Sequence, residues 1–146
     1  RLKEQVEVLR LLWTSEELDF QGRFHELRGV GLNPRPPRPI PIWFGGKAEP
    51  ALKRAAMMGD GFFPLRALEG GWEATFERMR RWREEAGLSW EGYGIEARLD
   101  GKPGWREQAE TWRGLGASHV YLATMGQGLV GPEAHIRRLE ELGREL

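Results

Sequence analysis

Cysteine is absent from this 146-residue chain, which excludes disulfides, thiol nucleophiles, thiolate zinc sites and iron–sulfur ligation. Net charge is absent too. Lys and Arg total 22, as do Asp and Glu, so neither a nucleic-acid footprint nor a funnel for acidic substrates is expected. No apolar run reaches membrane-spanning length and no secretory leader is recognised, so the expectation is a soluble cytoplasmic protein without membrane partners. Histidine is scarce. His25, His119 and His135 are scattered, with no partner at H-E-x-x-H spacing, so no metal site is expected. No serine sits in a G-x-S-x-G elbow, which leaves hydrolase chemistry without support.

Apolar periodicity is present throughout. Leu2, Val6, Leu9 and Leu12 or Trp13 share one helical face, so the spacing predicts an amphipathic helix over 2–13. Residues 18–27 read as a short hairpin turning at Gly22. A Pro-rich stretch, Asn33 to Pro39, leads in extended form to a first main strand at 40–44.

Strand and helix then alternate. Helix 49–58 has Pro50 near its start and Gly59 just beyond its end. A strand at 61–65 precedes a helix at 71–86, which turns Trp72, Phe76, Met79 and Ala86 inward and stops at Gly87. Tyr93, Ile95, Ala97 and Leu99 alternate along a third strand that Asp100-Gly101 ends. Helix 103–114, a fourth strand at 119–124 and a helix at 132–145, burying Ile136, Leu139 and Leu142, complete the chain. Four strands each followed by a helix predict an α/β fold with parallel pairing and right-handed crossovers. Strands buried on both faces account for the apolar runs at 40–44 and 119–123. The whole of 1–146 is expected to be a single domain, 1–39 a lead-in and 40–146 four strand–helix units.

The first main strand runs into Gly45-Gly46-Lys47. Glycines at a strand end let backbone approach a ligand and leave amide N–H groups free for phosphate or carbonyl oxygens, though paired glycines also make plain turns. Gly126, Gly128 and Gly131 formally match G-x-G-x-x-G. They lack the second strand and the acidic residue a dinucleotide site needs, so a loop before the last helix is expected instead. The tryptophans at 72, 82, 90, 105 and 112 are expected to pack helices onto the sheet, Trp43 to be core or pocket wall, and Arg78, Arg80, Arg81 and Arg83 to form a solvated helix face.

Several ordered blocks resemble one family. They are Leu11-Leu12-Trp13-Thr14-Ser15, Phe20-Gln21-Gly22-Arg23-Phe24, Leu32-Asn33-Pro34-Arg35-Pro36, Pro39 to Gly46, Ala55-Ala56 and Gly59-Asp60-Gly61-Phe62. Together they are similar to the C-terminal half of the luciferase-like flavin monooxygenases and their deazaflavin-dependent relatives. The resemblance implies the second half of a TIM (β/α)8 barrel, with the hairpin belonging to an insertion and the cofactor at the C-terminal ends of the strands. It implies FMN or coenzyme F420 as cofactor and a small-molecule substrate. Carried over by position, it implies cofactor contacts at Phe44, Gly45, Gly46 and Lys47, and at Leu65 and Arg66 beside the cofactor's ribityl–phosphate part. Asp60, at the N-terminal end of its strand, then reads as a backbone cap rather than a catalytic group.

The family's N-terminal half, which carries the usual catalytic residues, has no counterpart, so catalytic residues stay unassigned. An oxidoreductase incomplete for catalysis alone is the first expectation, completed by the missing half or by a homodimer. A non-catalytic half-barrel acting as a homodimeric structural or interaction module is the alternative.

Overall fold

The structure is a computed structural model that describes residues 1–145. In chain order the elements are α1 (Leu2–Thr14), β1 (Leu18–Gln21), β2 (Glu26–Val30), β3 (Trp43–Gly46), α2 (Glu49–Met58), β4 (Gly61–Pro64), α3 (Gly71–Glu85), β5 (Gly94–Asp100), α4 (Trp105–Gly114), β6 (His119–Ala123) and α5 (Pro132–Arg144). The hairpin β1–β2 is antiparallel, and β3-β4-β5-β6 form one parallel sheet in sequence order. Helical crossovers make that pairing parallel, as strand–helix alternation requires.

Helices cover one face of the sheet. Leu52, Ala55 and Ala56 of α2, Phe76 and Met79 of α3, Phe62 and Ile95 form the main cluster, and Leu99, Trp105 and Leu142 a second. Strand β5 shows the division most clearly: Ile95, Ala97 and Leu99 are buried, while Glu96 is half-buried and Arg98 and Asp100 are exposed. Trp72, Trp82, Trp90 and Trp112 pack against the main cluster and Trp105 is buried. No helix of the described residues is long and apolar enough to cross a membrane.

Several expectations need correction. The first main strand begins at Trp43 rather than at residue 40. Pro39 and Pro41 have no N–H to give to a ladder, and the Ile42 N–H donates to the Asp60 carboxylate at 2.8 Å. Pairing with β4 therefore opens at Trp43↔Gly61. Nor are β3 and β6 buried on both faces: Val120 and Tyr121 remain 44% and 49% exposed, because the described residues lay helices on one face only and β6 is an edge.

On α5 only Leu142 of the three expected apolar residues is buried, with Ile136 and Leu139 exposed. His135, Arg138 and Leu142 share the inward stripe at i, i+3, i+7: His135 bonds Thr124 and Arg138 donates to the Gly101 carbonyl. On α1, Val6 and Val8 are buried while Leu2 and Leu9 are exposed.

Arg83 does not belong to a solvated face. It continues the buried stripe of Phe76 and Met79, and Ala86 beyond it is exposed. Its guanidinium donates to the carbonyls of Ala56 and Gly59, at 2.9 and 2.8 Å, and to that of Ser89 at 2.5 Å. These are carbonyls left over at the end of α2 and beyond α3. Burial holds this guanidinium below its usual pKa, with Tyr93 and Asp60 acting the other way.

Candidate functional site

The face of the sheet away from the helices carries Trp43 and Gly45 on β3, Gly61 and Phe63 on β4, Gly94, Glu96 and Arg98 on β5, and His119 and Tyr121 on β6, as two-residue alternation dictates. Trp43 lies flat across its floor. A Cβ added at Gly61 or Gly94 would stand 2.3 or 2.1 Å from the indole, so those two glycines are the space the ring occupies. The indole meets the Phe63 ring at 5.5 Å and the His119 ring edge-on at 5.2 Å. Trp43 is thus wall of the open face, one of the two roles expected of it.

The two glycines of the strand end differ in what they do. At Gly46 a Cβ would fall 2.5 Å from the Ala51 Cβ, so this glycine lets α2 pack against β3. At Gly45 a Cβ would meet only Phe63 and Leu65, at ordinary contact distances of 3.7 and 3.8 Å, and its φ is not positive. Neither packing nor backbone geometry requires Gly45, and it leaves bare backbone on the open face.

Of the six sequence-derived site residues, Gly45 and Leu65 come together on that face, Leu65 being 57% exposed. Gly46 pairs in register with Pro64, which brings the two strand ends carrying Lys47 and Arg66 side by side. Both cations are exposed, and neither is in an ion pair among the described residues. Phe44 points the other way: its ring packs against the main core cluster and lies 2.8 Å from where a Gly59 Cβ would stand. Only its backbone can face a ligand.

Other polar features are structural. Asp60, as expected, caps backbone at the N-terminal end of β4, accepting from Ile42 N–H and from Arg10 at 3.0 Å. That pair borders a groove of about 450 Å³ between α1 and the 39–41 segment, at the opposite end of the sheet from Gly45. Glu4 binds the hairpin turn. Its carboxylate accepts from the backbone N–H groups of Arg23, Phe24 and His25 and bonds the His25 ring at 2.8 Å. Burial raises the Glu4 carboxyl, but these donors outweigh it and hold the pKa below the usual value. The Gly-rich segment after β6 forms the loop expected of it, with positive φ at Gly126, Gly128 and Gly131.

Sequence reasoning did not single out Phe63, Glu96, Arg98 or Tyr121. For β5 the signal was present, because charged residues fill the positions between Ile95, Ala97 and Leu99.

An uncharacterized protein of Mycobacterium tuberculosis is 37% identical over 87 residues, 60% of this chain and 30% of that protein. An F420-dependent glucose-6-phosphate dehydrogenase of Amycolatopsis mediterranei is 36% identical over 62 residues, 42% of this chain and 19% of that protein. Among solved structures, an F420-dependent secondary alcohol dehydrogenase in complex with an F420-acetone adduct superposes with a TM-score of 0.54 at 17% identity, over 94% of this chain and 51% of that one. DmoA from Hyphomicrobium sulfonivorans gives 0.55 at 20% identity, over 77% and 30%.

The chain therefore spans about half or less of the length of these proteins. Its strand–helix repeats have the architecture of part of a TIM barrel. The family model for luciferase-like monooxygenases matches residues 1–99, from α1 through nearly all of β5. This chain belongs to the luciferase-like monooxygenase family.

Proposed function

We propose that the chain forms the cofactor side of a luciferase-like oxidoreductase, with an F420-type deazaflavin, or FMN, at the C-terminal ends of β3 and β4. The observation that carries this reading is Gly45: exposed bare backbone that the fold itself does not need, beside Phe63 and Leu65. A flat ring system fits against such backbone, since a side chain would hold it away. When bound, a deazaflavin supplies two-electron hydride exchange with a small-molecule substrate. The chain's own residues bind and orient. Backbone from Phe44 to Lys47 contacts the ring, Leu65 covers it, and the exposed cations of Lys47 and Arg66 balance phosphate charge. Two relatives that carry F420 in their names favour the deazaflavin over FMN. Catalytic groups come from outside this chain, which spans 51% of the alcohol dehydrogenase it superposes on.

A fluorescence titration with F420 and FMN, each oxidised and reduced, tests the reading. Saturable binding of F420 is expected, with Gly45→Val weakening it tenfold or more while the melting temperature holds. No binding in any redox state would overturn it. The second reading, a homodimeric half-barrel without cofactor, draws on the exposed Val120 and Tyr121 of edge strand β6. It predicts a dimer by light scattering together with a blank titration.

A further inference from the structure

We draw no further inference here: the strongest candidate, the apolar groove of about 450 Å³ between α1 and the 39–41 segment, lies at the entry to edge strand β3, and nothing in the structure shows what covers it.

Discussion

Replacing Arg83 with methionine keeps the aliphatic stem of the side chain and deletes the donors that tie α3 to the end of α2. Three carbonyls lose their partner: Ala56 and Gly59, bonded at 2.9 and 2.8 Å, and Ser89 at 2.5 Å. The guanidinium also sits 4.4 Å from the centre of the Tyr93 ring. A buried acceptor left unsatisfied costs about 1–3 kcal/mol, and a desolvated cation–π contact adds on the order of 1 kcal/mol. Against this stands the desolvation that burying a cation requires, which methionine does not incur. The balance is a loss of about 3 kcal/mol, or roughly 10 °C in melting temperature for a chain of this size. Urea unfolding followed by circular dichroism reads the difference directly. Arg81→Met, on the exposed side of the same helix, is the control and should stay within about 0.5 kcal/mol. Arg83→Lys should recover only part of the loss, because one ammonium cannot reach three carbonyls. If Arg83→Met costs less than about 1 kcal/mol, or no more than Arg81→Met, the reasoning that these carbonyls depend on Arg83 fails.

Gly94→Ala places a Cβ 2.1 Å from the Trp43 ring, so the indole must move at a cost of about 1–3 kcal/mol. The melt, together with a shift in tryptophan emission, checks this. Tyr93→Phe removes a buried hydroxyl that has no partner among the described residues. Thermal unfolding should show stability unchanged or raised by up to about 1 kcal/mol. The folded-state pKa of Glu4 lies below its ordinary value, so the stability it contributes is full above that ordinary value. It is lost as pH falls through the lower, folded one. Amide exchange at Arg23, Phe24 and His25, taken relative to the intrinsic rate at each pH, should therefore speed up on acidification in the wild type. In Glu4→Gln it should be faster already at neutral pH and show less of that dependence.

The strand–helix order was legible because each element carries its own period, three to four residues in α2 and α3 and two in β5. Boundaries depending on a distant partner were not. Nothing local to residues 40–42 says that the Ile42 N–H turns to Asp60, eighteen positions away. Arg83 was misjudged because a buried arginine and a solvated one look alike until the carbonyls around it are in place. In α5 the apolar spacing pointed to the side of Ile136 and Leu139, whereas the His135 and Arg138 contacts turn the helix so that of the expected set only Leu142 is buried.

The Gly-Gly turn was conspicuous in sequence, yet its glycines serve different ends, which only the position of Ala51 separates. The charged row of β5 was readable as alternation, but the direction in which it faced was settled by the helices covering Ile95 and Leu99.

Helix α1 and the hairpin are clasped to each other by Glu4, whereas α1 meets the parallel sheet through Arg10, which bonds Asp60 and the Met58 carbonyl. The core clusters beneath the sheet contain no residue of α1, β1 or β2. Such an arrangement opens in stages. The first 30 residues can swing away and return as one body, at the expense of a polar clasp, while the main cluster stays closed. Hydrogen exchange would then divide the chain into an early-exchanging segment and a late-exchanging one, with the hinge in the proline-rich stretch before Trp43.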